Sequence, residues 1–175
     1  TTRDGLVHDD VNALIQDQEG RIWIGTEGGL SCYDGQSFTN FTTADGLPND
    51  QIMGGIHDSQ GQLWLATLDG ACCFDGQNFT TYTVDDGLAS STVLRVFQDS
   101  MGYLWFATWA GLSRFDGEVF QTLTRQDGLA SSSVLALYED DSKRLWFGTS
   151  NGITCFHPPT PSPPHARSEN SPAQT

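Results

Sequence analysis

The triplet Asp-Gly-Leu returns every 41 residues, at Asp4-Gly5-Leu6, Asp45-Gly46-Leu47, Asp86-Gly87-Leu88 and Asp127-Gly128-Leu129. Trp23, Trp64, Trp105 and Trp146 keep the same step. So do Thr26, Thr67, Thr108 and Thr149, the glycines Gly29, Gly70, Gly111 and Gly152, and an aromatic column of Tyr33, Phe74, Phe115 and Phe156. Self-similarity at a period of roughly 20 to 50 residues belongs to solenoids and propellers, because one copy cannot bury its own apolar faces and must stack on the next.

Each copy holds four short β-prone runs separated by turn signals. In the first they are "VNALIQ" (11–16), "RIWIGT" (21–26), "LSCYD" (30–34) and "SFTNF" (37–41). Runs one and two meet at Asp17 to Gly20, recurring as Asp58 to Gly61 and Asp99 to Gly102. There an Asp can accept nearby backbone N–H groups and Gly supplies a positive φ. Runs three and four meet at Asp34-Gly35, Asp75-Gly76 and Asp116-Gly117, and Asp-Gly between apolar runs is a strong hairpin signal. No stretch sustains helical periodicity, so helices are not expected.

The expected fold is all-β, a β-propeller of 41-residue antiparallel four-stranded blades at 11–41, 52–82, 93–123 and 134–157. The first strand of each blade lies nearest the axis, and the Asp-Gly-Leu segment crosses from one rim to the next centre. The last blade lacks its outer strand, because after Phe156 the chain runs "HPPTPSPPHARSENSPAQT" and proline cannot serve a ladder. Residues 158–175 are expected to be a Pro-rich disordered tail or linker. The missing rim strand and unsealed ends leave edges open to pairing.

Charge narrows the partners. With 22 acidic against 8 basic residues and a net charge of −14, the surface repels phosphate backbones and anionic headgroups, so nucleic acid and direct membrane contact are not expected. No apolar run approaches the ~18 to 20 residues that span a bilayer, and "TTRDGLVHDD" has no signal-peptide core. The chain starts at Thr1 rather than an initiator methionine, which fits a piece of something longer. Cys32, Cys72, Cys73 and Cys155 match neither metal-ligand spacing nor a disulfide framework and read as buried free thiols.

At the level of "G-x-x-W-x-x-T-x-x-G-L", followed by an aromatic, Asp-Gly and a later "DGL", the copies resemble the two-component regulator propeller repeat over roughly residues 4 to 157. The resemblance implies an extracytoplasmic propeller of a bacterial sensor histidine kinase, often a hybrid one that detects carbohydrates, and hence a periplasmic or extracellular location. "NGITCFHPPTPSPP" is similar to the exit from a last blade toward the immunoglobulin-like domain that commonly follows. No kinase core or transmembrane helix lies in this chain, so signalling would belong to a longer parent. The function expected is non-catalytic ligand sensing, with a small molecule or oligosaccharide as ligand. The alternative is a structural interaction module that assembles through its open edges, with further blades or a homo-oligomer partner.

The repeated residues read as scaffold. The Asp column at 17, 58, 99 and 140 is too dispersed to converge oxygens on calcium and reads as turn capping, so no metal and no cofactor is expected. Asp9-Asp10, Asp85-Asp86 and Asp140-Asp141 read as solvated loop charges. His8, His57, His157 and His165 fall in different columns, no Gly-x-Ser-x-Gly elbow exists and Lys143 is the only lysine, so an enzyme is not expected. Departures from the repeat say more. Trp109 stands in a column otherwise filled by Glu27, Leu68 and Ser150. Arg95 replaces Ala13, Gly54 and Ala136 on an innermost strand, aimed at the channel. Arg114 replaces Cys32, Cys73 and Cys155. Aromatics and arginine are enriched in binding hot spots near ring mouths, so Trp109, Arg95, Arg114 and Glu27 are the candidate ligand contacts. Cover of an apolar patch beside Leu68 is the competing role for Trp109.

Overall fold

The computed structural model describes residues 1–157, and the Pro-rich segment 158–175 lies outside them. The first blade is β1 (Val11–Gln16), β2 (Ile22–Thr26), β3 (Gly29–Tyr33) and β4 (Phe38–Phe41). The second is β5 (Ile52–His57), β6 (Leu63–Thr67), β7 (Gly70–Phe74) and β8 (Phe79–Tyr82). The third is β9 (Val93–Gln98), β10 (Leu104–Thr108), β11 (Leu112–Phe115) and β12 (Phe120–Leu123). β13 (Val134–Glu139), β14 (Leu145–Thr149) and β15 (Gly152–Phe156) make the fourth, three-stranded sheet. Every sheet is a meander in chain order with antiparallel neighbours. The innermost strands pack in sequence, β1 on β5, β5 on β9 and β9 on β13, with no comparable packing from β13 back to β1. Among the described residues the four blades therefore form an open arc.

The core sits between blades. Ile15, Trp23 and Leu30 of the first meet Ile52, Leu63 and Leu65 of the second, with Leu47 wedged between. The next two interfaces repeat the arrangement around Trp64 with Leu88 and around Trp105 with Leu129. Trp105 and Phe147 lie 5.4 Å apart, Trp64 and Phe106 5.6 Å, within the range where aromatic pairs add to plain area burial.

Two repeat columns prove to be one device. The indole N–H of Trp23, Trp64, Trp105 and Trp146 donates to the Asp six residues earlier, at 2.9, 2.9, 2.7 and 2.8 Å. The other oxygen of the same carboxylate accepts two backbone N–H groups of the β-turn. For Asp99 these come from Met101 and Tyr103, both at 3.0 Å. Capping is thus only half of the column's role. Asp140 is also not a solvated loop charge, because it takes part in this arrangement. The Trp146 indole N–H, against an opposing push from burial and together with the Arg144 and Ser142 bonds, holds its carboxyl down at about 2. A carboxyl depressed in the folded state stabilises the fold fully above its unfolded value of about 3.9 and loses that contribution as pH falls through the folded value. The melting midpoint should hold level above about pH 5 and drop between about pH 4 and 2. Trp146→Phe should flatten part of that drop, as read by circular-dichroism melts across the range.

The same turn closes on a left-handed residue. Gly20, Gly61 and Gly102 have φ of 83°, 85° and 91°, and the fourth copy puts Lys143 there at φ 63°. A side chain in this region costs about 1 to 2 kcal/mol, and the ion pair of Lys143 to Glu139, at 3.7 Å with the ammonium largely in solvent, offsets little of it. Lys143→Gly should therefore raise stability by about 1 kcal/mol in urea titrations.

The Asp-Gly-Leu connections contain 3-10 turns at Thr43–Asp45, Val84–Asp86 and Arg125–Asp127, where no helix was expected. The preceding Thr and the Asp cap each other: Thr42 N donates to Asp45 Oδ2 at 2.8 Å, and Thr83 and Thr124 repeat this. The Thr-x-x-Asp spacing is a capping-box pattern, too short to register as periodicity.

Candidate ligand-binding groove

The four candidate contacts, three of them departures from the repeat, do not converge. Trp109 occupies the β10–β11 turn, 54% exposed, above a framework in which Thr108 Oγ1 donates to the Gly111 carbonyl at 2.7 Å. Glu27 holds the equivalent turn of the first blade, with its carboxylate accepting from Asn12 Nδ2 at 2.6 Å and from Gln51 Nε2 of the next blade. It works as a bridge between blades. Arg95 lies on the innermost strand β9, exposed, with Nη1 donating to the carbonyls of Met53 at 2.9 Å and Leu94 at 2.6 Å. Its stem passes Gly54 of the preceding blade, where a Cβ would make ordinary contact with Arg95 Cδ at 3.6 Å. Arg114 lies toward the other end of the blade, over the Tyr103 ring at 4.5 Å and bonded to Gln121.

At that other end the β1–β2 and β3–β4 turns and their copies gather, and a concavity opens among them. Between the second and third blades a groove of ≈ 290 Å³ is lined by Gln62, Trp64, Cys73 and Asp75 on one side and Gln98, Phe115 and Asp116 on the other, with Thr80 and Tyr82 toward the rim. Its floor is aromatic: Trp64 stacks on Tyr82 at 5.4 Å and meets Phe115 at 5.8 Å. The repeat explains why this groove is roomier than its counterpart of ≈ 180 Å³ between the first and second blades, which Arg21 lines. The column of Gln62 carries Arg21 in the first blade, and Arg21 bonds Asp17 at 2.6 Å and covers Trp23 at 5.6 Å. The column of Cys73 carries Arg114 in the third. Where the first and third blades lay a guanidinium across the indole, the second has an amide and a thiol.

The chemistry on offer is hydrogen bonding. Backbone N–H groups of Asn78 and Gln77 hold the Asp75 carboxyl below the usual range, and those of Val119 and Glu118 do the same for Asp116. Both are anionic acceptors at neutral pH, facing amides that can donate or accept. Burial, followed by the nearby Asp58 and Asp75 charges, pushes the Cys73 thiol up to about 11, and burial lifts Cys72 to about 12. Neither thiol is a nucleophile near pH 7. All four cysteines are free, three buried and Cys155 half-buried. Among the described residues no three His, Cys, Asp or Glu side chains gather as a metal site. The groove went unnoticed in the sequence because its openness is a matter of what is small. The signal lay in reading the Arg21 and Arg114 columns for the blade where both lack arginine.

The family model described as two-component regulator propeller matches residues 5–28, 87–110 and 128–151. Among solved structures, the extracellular domain assigned to the hybrid two-component system BT3049 of B. thetaiotaomicron superposes with a TM-score of 0.82 at 25% identity, over 100% of this chain and 27% of that one. The extracellular domain of BT4673 from the same organism gives 0.71 at 21%, over 89% and 24%. Virginiamycin B lyase from Staphylococcus aureus gives 0.64 at 19%, over 89% and 59%, a likeness of fold alone. The chain spans about a quarter of the length of the first two. A search of curated proteins finds no match. No helix among the described residues is long and apolar enough to cross a membrane.

Proposed function

We propose that this chain, which carries two-component regulator propeller repeats, is a non-catalytic, ligand-binding arc of the extracytoplasmic propeller of a bacterial sensor, and that its ligand is a neutral oligosaccharide. The observation that carries the reading is the groove between the second and third blades. Its polar rim of amides and carboxylates stands over an aromatic floor, and no lysine or arginine lines it. Vicinal hydroxyls satisfy both kinds of rim group, sugar ring faces suit an aromatic wall, and anions find no counter-charge. A sensor needs binding without turnover, and the groove supplies no activated nucleophile: its thiol is protonated and it holds no histidine.

Isothermal titration of the chain with a panel of neutral and acidic oligosaccharides tests this. One or more neutral sugars should bind. Gln62→Ala and Asp116→Ala should each weaken binding about tenfold, the loss of roughly 1.4 kcal/mol expected for a hydrogen bond to a charged or buried partner. Trp109→Ala, at the opposite end of the blade, should leave it unchanged. Affinity that falls with Trp109→Ala and ignores the groove substitutions moves the site to the β10–β11 turn. Measurable turnover of any bound sugar overturns the non-catalytic reading.

A further inference from the structure

The groove between blades two and three has a counterpart one repeat earlier, between blades one and two, and the same columns build both. Trp23 meets Phe74 at 5.6 Å in the earlier groove, as Trp64 meets Phe115 at 5.8 Å in the later one. The polar positions correspond as well: Glu19 stands where Gln60 does, Arg21 where Gln62 does, and His57 where Gln98 does. Asp75 closes the earlier groove as Asp116 closes the later, and Asp75 also lines the later one. It stands on the β7–β8 turn between the two, where its Oδ1 accepts the backbone N–H groups of Gln77 at 2.8 Å and Asn78 at 2.7 Å. Beside it Gly76 has nothing within 4 Å of where a Cβ would lie, so the turn is bare at that point.

The shared columns are not equally occupied. In the later groove Gln98 is tied down, with Oε1 accepting from Ser59 N at 2.8 Å and Nε2 donating to the Gly102 carbonyl at 3.2 Å. The half-buried His57 ring makes no hydrogen bond to another described residue and lines the earlier groove, which leaves its nitrogens for a ligand hydroxyl. The Arg21 guanidinium is met by Asp17 and Glu19, each at 2.6 Å, so the earlier groove, like the later, presents no unpaired arginine to draw an anion.

We infer that the two grooves are successive subsites for one linear chain of neutral sugars, which runs along this end of the blades and crosses the β7–β8 turn at Asp75. The inference rests on the groove reading above and adds the length and course of the ligand. A 41-residue step places two like sites in one orientation, and a sugar polymer presents like units in one orientation. Size points the same way. At ≈ 290 and ≈ 180 Å³, each groove alone lies below the lower end of the about 300 to 1,000 Å³ usual for ligand sites, and joined they fall inside it. Sheets packed face to face stand about 10 Å apart, a longer step than one pyranose ring. Rings in both grooves therefore need at least a third ring over the turn, within reach of the Asp75 carboxylate.

Isothermal titration of the full chain with α-1,4-linked glucose, β-1,4-linked glucose and β-1,4-linked xylose chains of two to six rings reads the outcome. For a sugar that binds, affinity should rise about tenfold or more from two rings to four and level off by six. His57→Ala should weaken the four-ring chain about tenfold, and Gln18→Ala, an exposed position lining the earlier groove, about threefold. Gln62→Ala should weaken every length. Circular dichroism should show the same β spectrum for all three variants, and Gln18→Ala gives the same reading should His57→Ala fail to fold. Equal affinity from two rings to six, with only Gln62→Ala weakening it, overturns the spanning chain and leaves the single-groove reading standing. Losses with His57→Ala and none with Gln62→Ala confine the sugar to the earlier groove and overturn both. Binding at no length overturns both as well.

Discussion

Asp99→Ala is expected to destabilise the chain by about 3 to 5 kcal/mol. The buried carboxylate accepts the Met101 and Tyr103 backbone N–H groups and the Trp105 indole N–H. Removing it strands three donors, and each unpaired buried polar group costs about 1 to 3 kcal/mol, less where the turn can relax toward water. Trp105→Phe keeps most of the ring and removes the one donor that the carboxylate serves inside the core, so its cost should be smaller. The double variant should be more stable than the sum of the single losses by about 1 kcal/mol or more, because the indole N–H is no longer there to be stranded. Urea denaturation of the four proteins gives the cycle. Strictly additive losses would mean that Asp99 serves its turn alone.

Gly70→Ala should cost about as much for a different reason. Gly70 has φ 118°, and a Cβ there would lie 2.4 Å from the Tyr82 carbonyl oxygen, a backbone atom of β8 held in its sheet. Neither atom can yield without disturbing the β7–β8 register, so a left-handed penalty of about 1 to 2 kcal/mol adds to an overpacking cost of about 1 to 3 kcal/mol. Gly76→Ala separates the two contributions. It shares the positive φ, at 99°, but nothing lies within 4 Å of its Cβ, so it should cost only the left-handed share of about 1 to 2 kcal/mol. Equal losses at the two sites in thermal or urea unfolding would rule out the steric share.

Much of the candidate site stayed hidden because each blade is read in one dimension while the groove belongs to two blades. Trp109 was conspicuous as an unmatched tryptophan, and the structure leaves it exposed on a turn at the opposite end from the groove. Arg95 and Arg114 were equally conspicuous, and both, like the candidate Glu27, are held by partners within or between blades. The groove is marked by Gln62 and Cys73, unremarkable residues whose meaning depends on the arginines that the same columns carry elsewhere. A binding site made by absence becomes visible only when the neighbours that would have filled it are in place.

The repeat by itself determined the fold class, the strand order and the three-stranded last blade. Those follow from local chemistry: alternating apolar runs, Asp-Gly hairpins and a proline-rich exit act over a few residues each. It also marked Asp and Trp as columns, yet their joining depended on tertiary structure. The turn brings the Trp64 indole N–H back to Asp58 at 2.9 Å, and no spacing rule for strands or turns states that pairing. Only the tertiary structure decided which faces are covered. Leu30 and Ile153 hold the same place in the repeat, and one is buried and the other exposed because burial is set by the blade alongside.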